Sequence, residues 1–315
     1  MTSKPPSDLT PARVRAIRAR LLEWYERTGQ DFPWRTARDP YLALVAAVCA
    51  QQTQMSRVLP TYQRWVEAFP TLGAAARATN AEALRVWARA GYPRRALAIR
   101  DSARICLERH GGALPRGDAE LLALPGVGPF TAAIVRCFGY GEDAVAIDTN
   151  VVRLLGRLVG GDLQPARETP PARIEAWARR LLPAGDAARW NPTVMDYGGL
   201  VCRARPRCAE CVVANLCAAR PRFEAGEAAT PVRAQGAFAG SDREWRGRLL
   251  RELRAAERPL RVSALLEAAG AGIDDASRVR TLLGGLCTEG MAWSRGGWCG
   301  LGERAERREA AERSG

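Results

Sequence analysis

Over the first two hundred residues apolar positions recur every three or four residues, and the chain reads as a succession of helices. Residues 11–28 form one amphipathic stretch. In "DPYLALVAAVCAQ", Asp39 takes the N-cap and Pro40 the first helical position. The run that follows is apolar all round, which predicts a central, buried helix. Further helices are predicted at 55–68, 81–89, 93–109, 117–123, 130–138, 149–158, 171–182 and 190–201. No convincing strand of period two interrupts them. Residues 218–240 are rich in Ala, Gly and Pro and read as a linker. Beyond it, 241–257, 260–269 and 274–288 read as helices, and "GMAWSRGGWCGLG" reads as a short hairpin. Three helices and a hairpin predict a winged-helix-like module, followed by a tail at 303–315.

At 315 residues the chain is long enough for two or three domains. No apolar run approaches the roughly 20 residues that span a bilayer, and "MTSKPPSDLTPARVR" lacks the apolar stretch of a signal peptide. The expectation is a cytoplasmic, nucleoid-associated monomer. Formal net charge is +13, from 47 basic and 34 acidic residues. That excess fits a polyanion such as DNA and equally fits a compositional preference for arginine. Lysine occurs once, as Lys4. A Schiff-base lysine needs a buried amine, so imine chemistry by an internal lysine is excluded. The single histidine, His110, is expected on a helix surface, which argues against a His-dependent triad or metal site.

Three stretches carry chemistry. In "CRARPRCAECVVANLC", Cys202, Cys208, Cys211 and Cys217 follow the spacing C-x5-C-x2-C-x5-C. Thiols so dense in a cytoplasmic chain point to a metal site rather than disulfides, and four thiolates suit zinc or a [4Fe–4S] cluster. Cys49, Cys106, Cys137, Cys287 and Cys299 are scattered and read as core. In "LPGVGPFTAAIV", Gly126, Val127 and Gly128 form a tight turn before a helix that starts at Pro129. Amides there could hold a phosphate, or the turn could be a plain corner between helices. In "AVAIDTNVVRLLGRL", Asp148 arrives at a helix start, where an ordinary N-cap is the simpler reading.

Taken in order, "DFPWR" (31–35), "QQTQ" (51–54), "GYPRRA" (91–96), "LPGVGPFTA" (124–132), "AIDTNVVRLLGRL" (146–158), "MDYGGLVC" (195–202) and the cysteines resemble the helix-hairpin-helix DNA glycosylases of the endonuclease III superfamily. Within it the chain looks most like the A/G-specific adenine glycosylases. The resemblance covers roughly residues 12–217. It implies an all-α, two-lobed fold with the active site between the lobes and a [4Fe–4S] loop. The implied divisions are an N-terminal tail and helix at 1–30 on the cluster lobe, a six-helix lobe with the hairpin at 31–138 and the cluster lobe at 139–217. The linker at 218–240 and the module at 241–302 follow. The implied partner is double-stranded DNA with a mismatch or lesion. Asp148 matches the catalytic aspartate and Asn150 its polar support. Gln52 and Tyr92 match residues that wedge into the duplex, with Gln51 beside them. Arg35 and Asp196 match a charged pair lining the base pocket.

Four departures qualify that reading. Phe130 stands where the lyase subgroup carries its Schiff-base lysine, which implies a monofunctional enzyme. Ala47, four residues before Gln51, stands where adenine glycosylases carry the general-acid glutamate. The first cysteine spacing is one residue short of the family's usual six. The 241–302 module replaces the β-rich domain that reads 8-oxoguanine. The expected substrate is adenine opposite guanine or 8-oxoguanine. Uracil or thymine mismatches, alkylated bases, or lesion binding with weakened catalysis are the alternatives.

Overall fold

The computed structural model describes residues 9–229 and 237–304. In chain order the helices are α1 (Pro11–Thr28), α2 (Pro33–Thr36), α3 (Pro40–Ala50), α4 (Met55–Ala68), α5 (Leu72–Arg77), α6 (Asn80–Trp87), α7 (Arg94–Arg109), α8 (Asp118–Leu122), α9 (Pro129–Ile134), α10 (Thr149–Leu155), α11 (Pro165–Glu168), α12 (Pro171–Leu181), α13 (Ala187–Leu200) and α14 (Arg220–Glu224). Then come α15 (Asp242–Ala255), β1 (Leu260–Arg261), α16 (Val262–Ala268), α17 (Ala276–Thr288), β2 (Ala292–Arg295) and β3 (Trp298–Leu301). Helices α9 and α10 each run on into a five-residue π turn, at Val135–Gly139 and Gly156–Gly160. Among the described residues no helix is long and apolar enough to cross a membrane.

The described residues divide into two compact units. The first holds 9–47, 116–123 and 127–229; the second holds 48–115, 124–126 and 237–304. The chain passes from one to the other inside α3, so the division follows packing rather than the sequence order expected above. From Ala43 to Cys49 every residue of α3 is at most 3 % exposed. An apolar surface on all sides leaves such a helix no face for water.

In the first unit, Val14, Ile17, Leu21 and Trp24 of α1 pack with apolar side chains of α10, α12 and α13. Trp24 meets Tyr197 edge to face at 4.8 Å between centroids. In the second unit, Trp65 of α4 and Trp87 of α6 meet edge to face at 5.9 Å. The C-terminal module belongs to this unit. Its strands form an antiparallel sheet of order β1-β3-β2.

Two readings need correction. Leu260 and Arg261, expected inside a helix, form β1 and pair with Cys299 and Trp298. Two residues are too few for alternation to be visible in sequence. The stretch at 218–240 is not a linker throughout. Ala218 and Ala219 are buried and donate backbone N–H groups to the carbonyls of Leu158 and Arg157, both at 3.0 Å. α14 follows directly; residues 230–236 lie outside the described part, as does the tail from 305.

Candidate active site

Asp148 sits at the end of an irregular segment, residues 141–148, that leads into α10. The segment's backbone is held by a side chain of α13. Asn191, 1 % exposed, accepts from the Ala146 N–H at 3.0 Å and donates to the Ala144 carbonyl at 2.8 Å. Asp148 is the N-cap of α10: one carboxylate oxygen accepts from the Val151 N–H at 2.8 Å. The other accepts from the Asn150 side-chain amide at 2.9 Å. Burial raises the Asp148 carboxyl above its ordinary value. Those hydrogen bonds and the nearby Arg153 charge offset part of the rise.

The supports continue inward. Arg153 donates from Nη2 to Asn150 Oδ1 at 2.6 Å and to the Gly198 carbonyl at 2.5 Å, and from Nε to the Cys202 carbonyl at 2.6 Å. A hydrogen-bonded path therefore runs from Asp148 through Asn150 and Arg153 to the first cysteine of the loop. Gly198 makes the close approach of α13 possible. A Cβ there would lie 2.6 Å from the Asn150 carbonyl oxygen.

Cys202, Cys208, Cys211 and Cys217 line one cavity together with Arg157, Arg220 and Phe223. Arg157 is 2 % exposed; its Nη1 lies 3.8 Å from the Cys202 sulfur and 2.6 Å from the Arg203 carbonyl. Tyr197 donates its hydroxyl to the Cys211 sulfur at 3.1 Å. Burial pushes the Cys217 thiol up to about 12. Among the described residues, no three His, Cys, Asp or Glu side chains converge as they would on a single metal ion.

Also in this unit, Arg35 and Asp196 form a bidentate pair, with both N–O distances 2.9 Å. Their side chains are only 10 % and 13 % exposed. Arg35 also donates to the Tyr25 hydroxyl at 3.0 Å and lies over the Phe32 ring. Ala47 and the half-buried Phe130 pack in an apolar cluster with Ala43, Ile134 and Phe138. Helix α3 carries no carboxylate anywhere along its length.

In the second unit, Gln51 and Gln52 follow the end of α3, and Tyr92 precedes α7. Gln52 and Tyr92 are both exposed, and both hold positive φ, +51° and +46°. Such backbone is costly for residues other than glycine and must be held by its surroundings. Arg95, 8 % exposed, does that for both loops. Its Nη1 donates to the carbonyls of Val48, Cys49 and Gln51 and to the Thr53 hydroxyl. Its Nη2 donates to the carbonyls of Ala90 and Gly91. Gln51 donates its amide to the Gly126 carbonyl at 3.1 Å. Gly126 has φ +73°, and a Cβ there would lie 2.8 Å from Ala98 Cβ. The next two residues belong to the first unit, where Val127 is buried and Gly128 is the N-cap of α9.

Arg95, Arg153 and Asn191 escaped the sequence reading. The visible signals were slight: Arg95 lies within "GYPRRA", and Asn191 is a lone amide between Trp190 and Pro192. Of the scattered cysteines, Cys49, Cys106, Cys137 and Cys299 are buried core residues, whereas Cys287, expected in the core, is only partly buried. Burial lifts Cys49 to about 12, and Cys106, Cys137 and Cys299 to about 11. His110 is half-buried and caps the C-terminus of α7.

Residues 45–179 match the model of the HhH-GPD superfamily base excision DNA repair protein. The chain is 40 % identical over 243 residues to an adenine DNA glycosylase of Mycobacterium tuberculosis, covering 76 % of this chain and 79 % of the relative. It is 34 % identical over 241 residues to the human adenine DNA glycosylase, covering 73 % of this chain and 43 % of that longer protein. Among solved structures it resembles a thermostable thymine-DNA glycosylase, with a TM-score of 0.62 and 28 % identity, over 68 % of this chain and all of that one. The chain belongs to the HhH-GPD superfamily of base excision DNA repair proteins, as a DNA glycosylase.

Proposed function

We propose that the chain releases adenine mispaired with guanine or 8-oxoguanine from duplex DNA, with Asp148 as the catalytic carboxylate. The observation that carries this reading is a carboxylate held at a helix N-terminus by Asn150 and Val151, in a chain 40 % identical to an adenine DNA glycosylase. Cleavage of the N-glycosidic bond sends its electron pair to the departing base and leaves positive charge on the sugar. An ionised Asp148 stabilises that charge. Water then adds at the anomeric carbon and gives up a proton to the departed base, leaving an abasic site and the free base. Lys4 is the only lysine, so no internal amine is available to continue to strand cleavage.

Gln52 and Tyr92 would enter the space the flipped base leaves, offsetting part of the few kcal/mol that unstacking costs. Gln51 and the Gly126–Val127–Gly128 turn would contact the duplex beside them, and the Arg35–Asp196 pair would line the base pocket. We assign a [4Fe–4S] cluster to Cys202, Cys208, Cys211 and Cys217. One cavity lined by all four thiols, with the Arg157 guanidinium to balance an anionic group, fits a cluster better than a single ion. Bound there, the cluster would cross-link the loop that carries the Arg153 contact.

The bare α3 favours a second reading. Adenine is a poor leaving group without a proton donor, and position 47 offers none. Uracil or thymine mispaired with guanine leaves more readily, and a similar solved structure is that of a thymine-DNA glycosylase. Single-turnover assays on duplexes holding A·8-oxoG, A·G, U·G and T·G, with alkaline work-up, decide between them. Release from the adenine duplexes at least about 10-fold faster than from the pyrimidine ones is expected, a margin of about 1.4 kcal/mol in barrier. The reverse order would establish the second reading.

The Asn150 amide lowers the Asp148 carboxyl, so its removal lets burial raise that carboxyl further. The active carboxylate exists above its pKa. In Asn150→Ala the acidic limb of the single-turnover rate is therefore expected at higher pH than in the parent chain. A limb that stays in place or moves to lower pH would contradict the role given to Asn150.

A further inference from the structure

We propose that the C-terminal module braces the loop carrying Tyr92 and so fixes the conformation used to open the duplex; this rests on the wedge role given to Tyr92 above. Residues 88–93 join α6 to α7. Within this short loop Ala88 has φ +49° and ψ −121°, and Tyr92 has φ +46°. Two strained residues so close together require support from several sides. Arg95 and the Trp87 indole, which donates to the Gly91 carbonyl at 2.8 Å, supply it from within the helical part of the unit.

The rest comes from the module. Arg254 of α15 is half-buried and donates from Nη1 to the Ala88 carbonyl at 2.6 Å. Glu289, after α17, pairs with Arg246 at 2.7 Å and reaches Arg94, the first residue of α7, at 3.8 Å. The start of α6 is gripped as well. Glu303 accepts from the Asn80 N–H at 2.8 Å, and Asn80 donates its side-chain amide to the Gly290 carbonyl at 2.9 Å. Gly302, at φ +68°, lies so close to Ala81 that a Cβ would meet the Ala81 backbone nitrogen at 2.5 Å. The module thus holds both ends of the helix whose C-terminus leads into the wedge loop. Its hydrogen bond to Ala88 reaches the strained residue itself, where an appended module bound for other purposes would have no need to act.

The test uses the full chain and a duplex in which 2-aminopurine neighbours a non-cleavable target nucleotide. Its fluorescence reports unstacking; excision is read in parallel on the cleavable duplex. Arg254→Ala is expected to reduce both the fluorescence rise and the single-turnover rate by about 10-fold, a modest part of what ångström-scale misplacement can cost. Affinity for undamaged duplex should stay within about 2-fold. Arg254→Lys, which keeps a donor, should recover part of the loss. The exposed Arg258→Ala serves as the control for lost charge. Since Arg254 acts through Tyr92, the double variant should be no worse than Tyr92→Ala alone. Hydrogen exchange at amides 88–92 should quicken in Arg254→Ala. Unchanged exchange there, or losses that add in full in the double variant, would overturn the brace. A Tyr92→Ala variant that still unstacks the duplex would overturn the wedge reading instead, leaving the exchange result to judge the brace by itself.

Discussion

Asp148→Asn is expected to lower base excision on the order of 10³-fold while the protein stays folded and bound to DNA. Asparagine keeps the size of the side chain and is itself a good N-cap, so its oxygen can still accept from Val151. What disappears is the negative charge proposed to act on the sugar, and preorganised charge of this kind is worth about 10²–10³ in rate at other sites. The upper end applies because α3 carries no acid that could share the work. The sign of the stability change is also set. Burial raises the folded carboxyl above its unfolded value, so the fold favours the protonated form and pays for the ionised one as pH rises through the folded pKa. At neutral pH the asparagine variant should therefore melt no lower than the parent, and duplex affinity should hold or tighten because a negative charge is removed from a protein that binds a polyanion. Retention of a tenth or more of the parent rate would remove Asp148 from the chemistry.

The same carboxylate shows why the sequence was only partly legible. As a residue before "TNVV" it reads as a cap, and a cap it is, through Val151. Only the order of the surrounding motifs suggested more. Long helices were readable because burial imposes a stripe. α3 was legible in a different way, as a run apolar on every side, and its predicted all-round burial is found. α2, α5, α11 and α14 are four to six residues long, too short to display a period. Ala218 and Ala219 looked like linker because small residues are common in linkers, yet here smallness permits backbone contact with the π turn after α10. The supports of the site were invisible for a different reason. Arg95, Arg153 and Arg254 bind carbonyl oxygens, and every residue has one. No pairing of residue types marks such contacts in advance. Position 47 was legible in the opposite sense: an alanine packed among alanines leaves no space that a carboxylate could enter without a buried, unpaired charge.

Gly198→Ala is expected to damage the site from outside it. The glycine is helical, so its backbone conformation suits alanine, and helix propensity alone would favour the change. The obstacle is contact. The new methyl would lie 2.6 Å from the Asn150 carbonyl oxygen, 2.9 Å from its carbonyl carbon and 3.0 Å from its Cβ. Two of those atoms are backbone and cannot rotate away, so α13 and the first turn of α10 must separate. Overpacking of this kind costs about 1–3 kcal/mol of stability. The catalytic cost should be larger than the stability cost suggests. The displaced turn carries Asn150 and is capped by Asp148, and the Gly198 carbonyl is one of the acceptors that orient Arg153. A shift of about 1 Å in a reacting group can cost on the order of 10²-fold. Single-turnover excision should fall by that order while the variant remains folded at assay temperature, with an unchanged far-UV circular dichroism spectrum. A further substitution, Asn150→Ala, leaves the backbone clash in place and cannot rescue it. Excision within about 3-fold of the parent chain would mean that α13 can yield without moving Asp148, and that the close packing of these two helices is not what positions the carboxylate.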